Sequence, residues 1–158
     1  MTRYKVIMRL LLVFLVCLVS VTGHAQSCDP LTRPQLKEKL QQMGFEVKTL
    51  NDKPGEEKYS VEHPGSGFNV PVGYEISPSS NFIWLTAFLG IADTVNTDKN
   101  MELLKETANI QPSFFYITPK GNLMMAVAVE NRGVTEAILR RHINKLVADV
   151  SKTSTVWR

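Results

Sequence analysis

Residues 113–130 read SFFYITPKGNLMMAVAVE. Two apolar runs flank Thr118-Pro119-Lys120-Gly121, which carries proline at the second turn position and glycine at the fourth. That pattern suits a type I turn with room for a bulge, so the stretch is expected to be a β-hairpin. A hairpin with one wet face alternates apolar and polar residues, and this one barely does. Its second face needs a cover: helices of the same chain, a second copy of the chain, or a ligand. Met124 and Met125 are neighbours in an expected strand and therefore point to opposite faces.

Upstream of the hairpin the chain reads as one helix and then strands. Thr32 is suited to cap a helix, with Gln35 completing a capping box and Pro34 in the first turn. Leu36, Leu40 and Met43 recur at i, i+4 and i+7, and Gly44 is placed to end the helix in left-handed geometry. Glu46–Leu50 is a short strand candidate before the turn cluster Asn51–Gly55. Lys58–His63 alternates, with Tyr59, Val61 and His63 on one face. Phe68–Ile76 alternates over nine residues, with Phe68, Val70, Val72, Tyr74 and Ile76 together. Pro71 cannot donate to a ladder, so an edge or a bulge is expected there. Asn81–Leu89 (NFIWLTAFL) is apolar on both sides, as expected of a central strand buried on both faces.

Two further helices follow. The middle one, capped by Asn96, Thr97 or Asp98, is expected to bury Met101, Leu104 and Ala108. The last is long: Thr135 caps it, Val134 staples to Leu139, and Leu139, Ile143, Leu146 and Val150 form its apolar stripe. The expected fold is α+β, an antiparallel sheet of about five strands in the order α-β-β-β-α-β-β-α.

The first residues have a different character. MTRYKVIMRLLLVFLVCLVSVTGHAQ places Arg3, Lys5 and Arg9 before the apolar run Leu10–Val19, and ends in small and polar residues. This is the layout of a secretory signal peptide cleaved near Ala25, so residues 1–25 are expected to be removed and 26–158 to form a single exported domain, periplasmic or extracellular. Contact with a membrane is then transient, through that peptide alone. The chain has 18 basic and 15 acidic residues. The signal holds three of the basic ones and no acidic ones, so removing it leaves fifteen of each. A formally neutral domain offers no case for nucleic acid as partner. Cys28 is then the remaining cysteine. It is expected to be a free thiol, with an intermolecular disulfide or a lipid anchor as the alternatives.

Catalytic patterns are weak. His63 and His142 have no ligand spacing, and one cysteine does not complete a zinc site. Nothing orients a Cys28–His63 pair. Gly65-Ser66-Gly67 is not a nucleophile elbow, and no glycine-rich phosphate loop exists. His63 reads as a turn or edge residue. Arg140, Arg141, Lys145 and Lys152 read as a solvated helix face. No catalytic residue, metal or cofactor is expected. What stands out is apolar excess, and the positions assigned to a partner or ligand surface are Trp84, Phe114, Met124, Ala126 and Ala128.

Residues 100–153, NMELLKETANIQPSFFYITPKGNLMMAVAVENRGVTEAILRRHINKLVADVSKT, with a tryptophan soon after, resemble the YbjN-type, type III secretion chaperone-like domains. The likeness lies in the helix ending in Ala-Asn, the hairpin across Pro-Lys-Gly-Asn and the Glu-Asn-Arg link into the last helix. It implies an α/β sandwich that often dimerises, has relatives that bind unfolded segments of partner proteins, and carries no catalytic residues. The secretion chaperones are cytosolic and typically acidic, whereas this chain has an export signal and a neutral domain. The reading is an exported, non-enzymatic, chaperone-like protein-binding domain that self-associates as a homodimer. The alternative is a small-molecule or lipid-binding module using the apolar sheet face or a pocket.

Overall fold

Period-two alternation in the strands and capped amphipathic stretches between them produce a sheet with helices on one side. A computed structural model describes residues 29–93 and 96–158. The expected signal peptide and Cys28 lie outside the described residues. In chain order the elements are α1 (Arg33–Gln42), β1 (Lys48–Asn51), β2 (Lys58–Pro64), β3 (Asn69–Ile76), β4 (Phe82–Ile91), α2 (Thr97–Thr107), β5 (Phe114–Ile117), β6 (Asn122–Glu130), α3 (Glu136–Lys152) and the short α4 (Ser154–Trp157). The sheet has six strands in the order β1-β2-β3-β4-β6-β5, and every pairing is antiparallel. The short strand candidate at Glu46–Leu50 is realised as β1.

Local chemistry accounts for the element ends. Thr32 accepts from the Gln35 amide while the Gln35 side chain accepts from the Thr32 amide, a closed capping box. Gly44 follows the helix at φ +87°, which favours glycine. In the hairpin, the Gly121 amide donates to the Thr118 carbonyl at 2.8 Å and the Thr118 amide to Asn122 at 2.9 Å, with Gly121 at φ +78°. This is a type I turn closed by a bulge. Thr135 caps α3 by accepting from the Ile138 amide at 3.1 Å. Pro71 lies in an interior strand, yet the ladder of β3 with β4 runs only from Val72 to Ile76. Pro71 therefore has just one paired neighbour, β2, which is how an interior strand tolerates it.

The core lies between one sheet face and the helices. Val61, Val72, Tyr74, Ile83, Leu85, Met125 and Val127 point into it from the strands, and Leu36, Leu40, Leu139, Ile143, Leu146 and Val150 from α1 and α3. Each fully buried aliphatic side chain there contributes about 1.5–3 kcal/mol.

Two expectations fail. Strand β4 is central but not buried on both faces: Phe82 and Phe88 are 43% and 54% exposed, because the helices all gather on the Ile83–Leu85–Ala87 side. Helix α2 does not bury Met101, Leu104 and Ala108. Its buried residue is Leu103, whereas Leu104 is 64% exposed. With Met101, Leu103 and Leu104 as its apolar residues, spread around the helix, either face could be turned to the sheet. The contact with β5 selects Leu103. Leu103→Ala should lower unfolding free energy by about 2–4 kcal/mol and Leu104→Ala by less than about 1 kcal/mol, read by denaturant titration.

Candidate interaction surface

The sheet face opposite the helices carries the residues that alternate with the core. Strand β4 contributes Phe82, Trp84, Thr86 and Phe88, β5 contributes Phe114 and Tyr116, and β6 contributes Met124, Ala126 and Ala128. The register brings them together. Trp84 stands opposite Ala128 on one side and Glu75 on the other, Thr86 opposite Ala126 and Gly73, and Phe88 opposite Met124. Across the other edge of β6, Phe114 pairs with Ala126 and Tyr116 with Met124. The five positions Trp84, Phe114, Met124, Ala126 and Ala128 thus lie on one face of three adjacent strands.

The aromatic side chains form a continuous row. Ring centroids are 6.5 Å apart for Phe82 and Trp84, 6.2 Å for Trp84 and Phe114, and 6.0 Å for Phe114 and Tyr116. Trp84 and Phe114 meet edge to face at 82° from the strands either side of β6, a favoured aromatic geometry. Ala126, between them on β6, is 1% exposed. Trp84, Phe114, Met124 and Ala128 are half-buried. Large residues on the outer strands and alanines on the middle one leave an open cleft of about 370 Å³, floored by Ala126 and Thr86 and walled by Trp84, Phe114, Tyr116 and Glu75. Beside Thr86 only a glycine fits at position 73, since a Cβ there would lie 2.8 Å from Thr86 Oγ1. Burial, and then the Glu75 carboxylate, push the Tyr116 phenol up, so it stays protonated at neutral pH. Toward β2 the face turns polar, and Lys58 pairs with Glu75 at 2.6 Å.

Other expected positions move on inspection. His63 is not a turn or edge residue; it is 5% exposed and packed edge to face on Phe45 at 4.9 Å. Its Nε2 shares a 2.7 Å hydrogen bond with the Tyr74 hydroxyl. The alternation that points Val61 into the core points His63 there too. Lys145 is not simply solvated. Its Nζ donates to Asp149 Oδ1 at 2.6 Å and Oδ2 at 2.5 Å, and to the Ile110 carbonyl at 2.9 Å. The wholly buried Ser113 donates to Asp149 Oδ2 at 2.7 Å. Asp149 was not singled out in the sequence, although the i, i+4 spacing of Lys145 and Asp149 inside an apolar stripe marks such a pair. The cluster ties the segment before β5 to α3. Among the described residues no group of three or more His, Cys, Asp or Glu could hold a metal ion, and no helix is long and apolar enough to cross a membrane.

No protein-family model matches the chain, and a comparison with curated proteins gives no match. Among solved structures, the chain is similar to a chain of the heterodimeric ExoU–SpcU complex from the type III secretion system of Pseudomonas aeruginosa. The likeness has a TM-score of 0.47 at 13% identity and covers 75% of this chain and 94% of that one.

Two measurements check these assignments. Burial holds His63 below its usual value of 6.5, and burial with the Arg141 charge does the same to His142. The unfolded chain therefore takes up protons near 6.5 that the folded chain refuses. The stability due to neutral His63 is present above that pH and is lost as pH falls below it. Melting temperature should drop on acidification from neutral pH, and drop less in His63→Gln; an unchanged pH profile in that variant would refute the assignment. Asp149→Ala should cost about 2–4 kcal/mol by denaturant titration, since it strands the Ser113 hydroxyl and the Lys145 ammonium.

Proposed function

We propose that residues 26–158 form an exported, non-enzymatic protein-binding domain whose first partner is a second copy of itself, docked through the open sheet face. The observation that carries this is the aromatic row from Phe82 to Tyr116, set on alanines and covered by none of the described helices. A contiguous apolar patch of this extent marks an interaction site.

Size and chemistry favour a second copy. Six strands of four to ten residues, about 4.8 Å apart, give a face on the order of 700 Å² in projection. A standard stable interface buries about 800 Å² per partner. The face has an aromatic and methionine cluster on β4–β6–β5, at one end of the sheet, and charged Lys58, Glu62 and Glu75 on the β2–β3 side, so apolar and polar areas of an interface are both present. A two-fold arrangement presents this patch to itself, and the paired opposite charges of Lys58 and Glu75 leave no single-sign field to repel the copy. The tripartite layout of residues 1–25 supports export.

The small-molecule reading has less behind it. It looks for a closed cavity lined by Trp84 and Phe114 or Phe115. The cleft at Trp84 and Phe114 is open, and Phe115 points into the core on the other side of the sheet.

Met124 and Met125 separate interface from core. Met124→Asp should convert a dimer into folded monomers by multi-angle light scattering, with the melting temperature of the monomer nearly unchanged. Met125→Asp should fail to fold, because the side chain is wholly buried. A wild-type protein that stays strictly monomeric at high micromolar concentration, or a Met124→Asp variant that stays dimeric, would refute self-association through this face.

A further inference from the structure

A second concavity lies on the helix side of the sheet and is independent of the open face. It is a cleft of about 680 Å³ between α3 and the turn joining β2 to β3. Helix α3 lines it with Arg140, Asn144, Val147, Ala148 and Lys152 among others. These positions share one stripe, and at 1.5 Å per residue Arg140 and Lys152 stand about 18 Å apart along the helix. Phe45, His63 and Pro64 form the facing wall.

Three features point to a ligand. First, the lining holds two cations and no carboxylate, although the domain is balanced in charge. Neither cation forms an ion pair among the described residues. Arg140 is held in place by the Met43 carbonyl at 3.2 Å and lies over the Phe45 ring at 5.5 Å, which leaves most of its guanidinium donors uncommitted. Second, His63 is buried at the cleft wall with one ring nitrogen on Tyr74 and no hydrogen-bond partner for the other among the described residues. Third, the walls are pinned together. The Ser66 amide donates to Ser151 Oγ at 3.1 Å, and a Cβ on Gly65 would come within 2.8 Å of that same oxygen.

We propose that this cleft binds an elongated organic anion: an acidic head held by Arg140, Asn144 and His63, and an apolar body lying on Val147, Ala148 and Pro64 toward Lys152. A peptide fits less well. The backbone N–H and C=O groups of α3 are bonded within the helix, so that wall offers nothing to pair with a peptide's own backbone groups. An apolar chain needs no such pairing.

The probes are decanoate, 1-decanol, acetate and an acidic hexapeptide, each titrated into the protein and followed by amide and histidine-ring NMR shifts. Decanoate should shift Asn144, Ala148 and the His63 ring. Arg140→Gln should weaken it at least tenfold. Ala148→Trp, at an exposed helix position, should block the cleft while leaving the fold intact, and Trp84→Ala should leave decanoate affinity unchanged. Absence of decanoate binding would overturn the proposal. So would equal binding of decanol, which would make the cations irrelevant, or of acetate, which would make the apolar body irrelevant. Tighter binding of the hexapeptide, or loss of decanoate binding in Trp84→Ala with retention in Ala148→Trp, would also overturn it.

Discussion

Strand β6 satisfies two neighbours and two faces at once. It runs beside β4 through nine registered pairs and beside β5 through four. Its odd residues, Leu123, Met125, Val127 and Val129, are buried under the helices. Its even residues, Met124, Ala126 and Ala128, are therefore committed to the other side. A shift of one residue would exchange the two sets and expose the core, so the register is fixed by burial. Once it is fixed, the aromatic side chains of β4 and β5 must meet across small residues, and the open face acquires its row of rings and its alanine floor.

The helices complete this division. α3 is long enough to cross β3, β4 and β6, and its stripe from Leu139 to Val150 supplies much of the core from one side. α1 adds Leu36 and Leu40. The Ser113–Asp149–Lys145 cluster ties the approach to β5 to α3. Packing all the helices on one face leaves a two-layer arrangement, stable on one side and apolar on the other. That second side is the surface proposed for a second copy, and the cationic cleft beside α3 is the separate site proposed for a ligand.

Much of this was readable in the chain. The hairpin followed from Pro119 and Gly121, the helix starts from Thr32, Gln35 and Thr135, and the opposite directions of Met124 and Met125 from the pleat. Other points depend on distant partners. Leu103 and Leu104 are chemically alike, and only the position of β5 decides which is buried. His63 continues the inward alternation of Val61, but its burial depends on Phe45 and Tyr74, which come from separate elements. The aromatic side of β4 reads as buried because composition does not reveal on which side the helices collect. The five surface positions shared a face because period-two alternation and pairing place them there, whereas the row through Phe82 and Tyr116 needed the register of β4 and β5 against β6.

The central claim is that the open face is covered by a second copy of the chain, and the two adjacent methionines report on it directly. Methyl-labelled methionine spectra with a soluble paramagnetic agent, recorded across a dilution series, measure the access of each side chain to solvent. The account predicts that Met125 is protected throughout, while Met124 is attenuated at low protein concentration and becomes protected as concentration rises. Equal attenuation of Met124 at every concentration would contradict it.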